Sequence, residues 1–307
     1  MERDFSHSPL GTTVLKEVSR SFYLSLRQLP KGMRDAAGIG YLLARASDTI
    51  ADTPAIAVAE RCRLLDEFAS AVESGAKFAA PVAFLESCRD GEKRLLERCG
   101  DVIECLCSLS GERRELVLDV FREIVSGQRL DLLRFGNAGA DGGGGIHTDL
   151  ELLDYCDRVA GSVGEFWTRL GFCSEGGGFC DASREQMQMW ARNYGRALQL
   201  VNILRDLPED VGAGRCYLPG TTVHDHQVQL LSAHRKWLAI ARELLADGFR
   251  YSSALRGRRL RVASVLPALL AEETLEKLDS ASWVDLSSRI KISRLTVFRC
   301  FAEALLF

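Results

Sequence analysis

Along most of the chain, apolar residues recur at i, i+3, i+4 and i+7, the period of a helix that buries one face, while β-branched alternation of period two is scarce. This pattern predicts helices over roughly 11–29, 33–51, 56–74, 81–108, 111–134, 149–172, 183–207, 227–254, 258–279 and 287–305. Pro30 and Gly32 punctuate the first two. Pro54 stops the second, because the residue before a proline is pushed out of the α region. The stretches Gly139–Gly145 and Gly176–Gly178 read as loops. Helical patterning continues on both sides of them, without an internal repeat or a linker. A single all-α domain over 1–307 is therefore expected.

Two of these segments carry a polar stripe through an apolar run. Tyr41, Arg45, Asp48 and Asp52 are spaced four, three and four apart; Gln199, Asn202, Asp206 and Asp210 are spaced three, four and four. At about 100° per residue, each set falls within a sector of roughly 60–80° on one helix face. Like charges at i,i+4 cost an isolated helix about 0.2–0.5 kcal/mol. Acid pairs are common on solvated faces, which is the plain alternative. Yet Asp48 follows Tyr41-Leu42-Leu43-Ala44-Arg45-Ala46, and Asp206 follows Leu200-Val201-Asn202-Ile203-Leu204-Arg205, runs too apolar for a wet face. Buried polar groups are costly unless satisfied. One polar cavity shared by both stripes, with a cation between the acids, explains them more simply. Magnesium holding a diphosphate suits such a cavity, since it joins one or two carboxylates to substrate phosphates and stabilises charge building on a leaving group. Arg45, Arg205 and Arg215 are candidates for charge-assisted contacts to phosphate oxygens. Arg20, in Ser19-Arg20-Ser21-Phe22, is another, although that segment also reads as an ordinary helix start.

The third signal is YCDRVAGSVGEFW, residues 155–167. Each glycine inside a helix costs about 1 kcal/mol relative to alanine. Close helix packing explains them, and so does a bulky apolar chain passing over small residues with Tyr155 at its polar end. Gly212 and Gly214 would let a loop fold over bound metals. The chain lacks GxGxxG, GxSxG and P-loop patterns, so a nicotinamide cofactor would bind outside a Rossmann fold.

Composition narrows the class. A net charge of -3 with 26% charged residues gives no nucleic-acid signature, and 47% hydrophobic content is ample for a core. No apolar run approaches the ~18–20 residues of a membrane span. Residues 1–13 lack a basic n-region and an apolar h-region, so no signal peptide is expected. The ten cysteines are scattered without a CxxC, as expected of reduced, mostly buried thiols in a cytosolic protein without a zinc site.

The segments SRSFYLSLRQLP (19–30), YLLARASDTIAD (41–52), YCDRVAGSVG (155–164) and LQLVNILRDLPEDVGAGRCYLP (198–219) resemble the squalene/phytoene synthase family, over roughly 10–300 of the chain. The resemblance implies the all-α isoprenoid synthase bundle with a central prenyl-diphosphate cavity. It also implies magnesium, or manganese in its place, on Asp48, Asp52, Asn202, Asp206 and Asp210. Substrate contacts are implied at Ser19, Arg20, Ser21, Phe22, Tyr41, Arg45, Gln199, Arg205 and Arg215, and a proton-transfer role at Tyr155.

Within the family the wording is closest to bacterial squalene synthases. These join two farnesyl diphosphates head to head through presqualene diphosphate and quench the final cation with hydride from NADPH. Lys291 and Arg294, in IKISR (290–294), resemble a basic NADPH-binding segment, with a solvated helix face as the alternative. Relatives that stop at presqualene diphosphate or hydroxysqualene would share the acid motifs, as would phytoene and dehydrosqualene synthases, which end by proton loss. Non-catalytic assembly factors of the same fold are expected to lose acid-motif residues, and all four aspartates are present here. A monomer in the cytoplasm is expected, touching the membrane at most peripherally to release an oily product.

Overall fold

The computed structural model of the protein describes residues 5–19, 22–136 and 145–307. Among these residues there are helices, turns and two isolated bridges, Gly145 with Cys216 and Cys180 with Leu255, but no strand. The chain divides into two compact units, Met1–Leu132 with Arg169–Gly177, and Leu133–Thr168 with Gly178–Phe307. Of the three boundaries, those at 132/133 and 168/169 fall inside helices, and the one at 177/178 falls in the 3-10 turn Gly176–Gly178.

In the first unit, a 3-10 turn at Phe5–His7 and a π-helical turn at Leu10–Val14 precede eight helices. These are α1 (Leu15–Ser19), α2 (Phe22–Gln28), α3 (Lys31–Asp52), α4 (Val58–Ser74), α5 (Val82–Glu86), α6 (Asp90–Glu97), α7 (Cys99–Ser108) and α8 (Gly111–Phe135). Pro30 stands just before α3, where its missing N–H costs nothing. At the far end Pro54 forces Thr53 extended (φ -83°, ψ 97°), as the sequence predicts. Between them Leu42, Leu43, Ala46 and Ile50 give α3 a fully buried face against α4 and α7. Phe68 of α4 meets Phe121 of α8 edge-on, with ring centroids 5.7 Å apart. The single helix expected over 81–108 is instead α5, α6 and α7. Ser87 turns its hydroxyl onto the Phe84 carbonyl, a local bond that competes with helix propagation, and a second break falls at Arg98 (φ -109°, ψ 12°).

In the second unit α9 (Asp149–Cys156) opens on a reciprocal cap between Thr148 and Glu151. A π-helical turn at Asp157–Gly161 leads into α10 (Ser162–Glu175), and α11 (Arg184–Gly212), α12 (Gln227–Ala254), α13 (Arg258–Asp279), α14 (Trp283–Ser287) and α15 (Arg294–Leu306) follow. The core lies where α11 packs along α12 and α13, with Leu200, Leu204, Leu207, Trp237, Leu245 and Leu275 buried together. Gly164 of α10 and Gly195 of α11 let the π-helical turn and the start of α10 pass close against α11. A Cβ on Gly164 would strike the Ala191 backbone, and one on Gly195 the Ala160 backbone. Close packing is therefore the physical reason for Gly164.

Helix α11 outruns the predicted end at 207 by passing through Pro208. A proline there leaves the Leu204 carbonyl, one turn back, without its backbone donor. The buried His234 imidazole of α12 lies against that carbonyl, with Nε2 left unpartnered among the described residues, so Nδ1 is the nitrogen placed to serve it. The predicted helix over 287–305 is also broken. Arg289 takes a left-handed conformation (φ 64°), and Ser293 starts a new helix by accepting from the Thr296 N–H.

Candidate active site

The first acid pair lies on the last two turns of α3. Asp48 is half-buried and Asp52 exposed. Arg45, one turn back, donates from Nη1 to Asp48 Oδ2 at 2.6 Å and from Nη2 to Glu92 Oε1 of α6 at 2.6 Å. Its Nε is buried without an acceptor among the described residues. Two carboxylates, Asp48 and Glu92, thus share one guanidinium. Burial, followed by the like charge of Asp52, pushes the Asp48 carboxyl up to about 7, and Glu92 adds to the shift while Arg45 opposes it. The Asp48 side chain keeps 39% of its surface in solvent, where a cation can reach it. The repulsion at Asp48 is what a divalent cation would relieve.

Around this pair the structure gathers several of the expected residues. Tyr41 donates its phenol to the Val18 carbonyl (3.1 Å), and its ring lies 5.4 Å from that of Phe22. Ser19 is buried, and its hydroxyl is turned back onto the Leu15 carbonyl. Arg20 and Ser21 lie outside the described residues. Glu92 escaped the sequence reading because it stands 47 residues from Arg45, in a segment whose periodicity merges with its neighbours.

The second acid pair has the same spacing and different electrostatics. On α11, Asp206 is gripped by its neighbour Arg205 through Nε (2.9 Å) and Nη2 (2.5 Å). The buried Asp210 accepts from Arg215 Nη2 at 2.7 Å and Nε at 3.2 Å. The Arg215 N–H also closes onto the Asp210 carbonyl (2.8 Å), which fixes the turn through Gly214 (φ 80°). Each acid here has an arginine of its own. Gln199 is half-buried and Asn202 exposed on the same helix. Tyr155, at the end of α9, stacks on Tyr217 (5.4 Å between centroids, 28° between planes), which in turn packs on Phe135 at 4.9 Å. Tyr217 sits in the CYLP segment two residues past Arg215, where the sequence alone gives it no role.

Lys291 and Arg294 are exposed, the first in the loop before α15 and the second at its first residue. Neither side chain has a carboxylate partner among the described residues. Their loop is tied to the end of α11, where Arg289 Nη2 lies 3.0 Å from Glu209 Oε2 and Ile290 packs against the core.

Among the described residues no group of three or more His, Cys, Asp or Glu is arranged to hold a metal ion. The acid pairs can therefore supply only part of a coordination shell. Magnesium sites of that kind are completed by substrate phosphates and water. No helix among the described residues is long and apolar enough to cross a membrane.

A family profile described as squalene/phytoene synthase matches residues 15–296. A presqualene diphosphate synthase from Rhodopseudomonas palustris is 32% identical over 209 residues, 66% of this chain and 60% of that one. The squalene synthase of Homo sapiens is 27% identical over 289 residues, 90% of this chain and 65% of that one. In both cases the match spans less than two thirds of the relative's own length. Among solved structures, a ligand complex of TcSQS superposes with a TM-score of 0.79 at 25% identity, covering 95% of this chain and 84% of that one.

Proposed function

Since the chain belongs to the squalene/phytoene synthase family, whose members are prenyltransferases, we propose that it condenses two farnesyl diphosphates head to head into presqualene diphosphate and reduces this with NADPH to squalene. The observation that carries the reading is the first acid pair. Asp48 and Glu92 share the one guanidinium of Arg45 while Asp52, one turn on, raises the Asp48 carboxyl further, and the family's chemistry gives that crowding of acids a use. We read the whole of 1–307 as one catalytic domain.

When bound, magnesium would be held by Asp48 and Asp52 and by Asp206, Asp210 and Asn202, and would supply Lewis-acid stabilisation of the departing diphosphate. Arg205 and Arg215, now spent on Asp206 and Asp210, would turn to phosphate oxygens once their carboxylates take up the cation. Arg45 would do the same with its unused Nε. Tyr155 would move the proton lost as the cyclopropane closes, its ring held in place by Tyr217. The faces of Phe22 and Tyr41 would steady the allylic cation, and the apolar surroundings would keep out water, which would trap it as an alcohol. NADPH would supply the hydride, with Lys291 and Arg294 as unpaired cations for its phosphates.

The test is turnover of farnesyl diphosphate by Asp48→Asn and Asp206→Asn. Both should lose activity sharply while keeping the wild-type helical circular dichroism. Full turnover in either variant, or by the wild type in EDTA, would contradict the reading. A second reading, release of presqualene diphosphate without hydride transfer, is favoured by the 32% identity to a presqualene diphosphate synthase.

A further inference from the structure

We propose that Glu92 is a positioning residue that keeps Arg45 beside the first acid pair when a divalent cation takes Asp48; the proposal rests on the prenyl-diphosphate reading of this site. Arg45 is held at two points, Asp48 on its own helix and Glu92 on α6, at the same distance of 2.6 Å. Both contacts are short enough to be charge-assisted.

The two contacts have different fates. A cation on Asp48 replaces the guanidinium there and repels it. Arg45 is a long, flexible side chain, and with no second anchor it would either swing away or stay on Asp48 and compete with the cation. Glu92 removes both outcomes. It is the least exposed of the three side chains, at 19% against 29% for Arg45 and 39% for Asp48, so its bond to Arg45 is the least weakened by solvent and salt. It also sits in the first turn of α6, where the helix dipole favours a negative charge, and α6 packs against both α1 and α3. Its place is thus set by the fold and does not depend on the cation. Held there, Arg45 retains its buried Nε and gains the Nη1 freed from Asp48 as donors for a phosphate oxygen.

The plainer role for Glu92 is a tie between α6 and α3, and the two roles separate experimentally. Wild type, Glu92→Gln, Arg45→Gln and the double variant are titrated calorimetrically with inorganic diphosphate in excess magnesium, and each is melted without ligand. If Glu92 acts through Arg45, Glu92→Gln weakens diphosphate binding about tenfold or more, the scale of a charge-assisted bond, with an unfolding temperature close to wild type. In the Arg45→Gln background the same change then has no further effect. A lowered unfolding temperature with unchanged affinity, or an equal loss in both backgrounds, overturns the proposal. Failure of the wild type itself to bind magnesium diphosphate would instead remove the functional reading, and this proposal with it.

Discussion

Asp48 and Asp206 occupy the same place in two motifs of equal spacing, yet one shares a guanidinium with Glu92 while the other is clasped by an arginine of its own. This difference has thermodynamic consequences. The Asp48 carboxyl titrates near 7 in the fold, above its ordinary 3.8, so the folded protein binds that proton more tightly than the unfolded chain does. Without metal, its contribution to stability is intact below about pH 4 and is lost as pH rises towards 7. Asp48→Asn should therefore raise the unfolding temperature in EDTA at pH 8 and change it little at pH 4. Asp206→Asn should lower it, because it breaks a bidentate pair. Melting curves in which the two variants shift alike would contradict this assignment. Tyr155→Phe keeps the stack on Tyr217 and removes only the hydroxyl. Presqualene diphosphate formation should then fall by about 10²–10⁴-fold, with substrate binding retained. An unchanged first half-reaction would return Tyr155 to packing alone.

At the scale of elements, much was legible, because helix periodicity and proline positions are local. Helices α12 and α13 keep their predicted limits, and α3 stops at Pro54 as expected. What escaped the pattern depends on partners far along the chain or on local side-chain bonds. The breaks at Ser87 and Arg289 interrupt runs whose apolar spacing continues through them. Continuation of α11 through Pro208 needs a donor from another helix, and nothing in the Asp206–Asp210 segment announces His234. Replacing His234 by Leu leaves the Leu204 carbonyl buried without a partner, which should cost about 1–3 kcal/mol. His234→Asn places an amide donor near Nδ1 and should recover much of the loss. Burial also holds the His234 pKa below its ordinary 6.5, so the unfolded chain takes up that proton first as the pH falls. Stability should therefore decline as pH drops below about 6.5, and less steeply in His234→Asn. Denaturant melts between pH 5 and 8 check both expectations; equal stability of the Leu and Asn variants would argue against the bond.

For the whole molecule, the absence of a linker in the sequence has a structural counterpart. The boundaries at Leu132 and Arg169 lie within α8 and α10, and the first unit is completed only when the chain returns at Arg169–Gly177. There Arg169 pairs with Asp119 at 3.1 Å, and Ser174 packs against Gly32. A fragment ending at Leu132 lacks this segment and should fail to unfold cooperatively, whereas a sharp melt from that fragment would show the returning segment to be dispensable. The acid motifs and Tyr155 could be singled out because they stand in short local segments. Glu92, Tyr217 and His234 could not, since their contacts are made only in three dimensions. The central claim, a prenyl-diphosphate condensation finished by hydride, is tested most directly by identifying the lipids formed from farnesyl diphosphate and magnesium by the purified protein, with and without deuterium-labelled NADPH. Presqualene diphosphate is expected without the cofactor and deuterated squalene with it. The same product in both reactions would contradict the hydride step, and no condensed product in either would contradict the account as a whole.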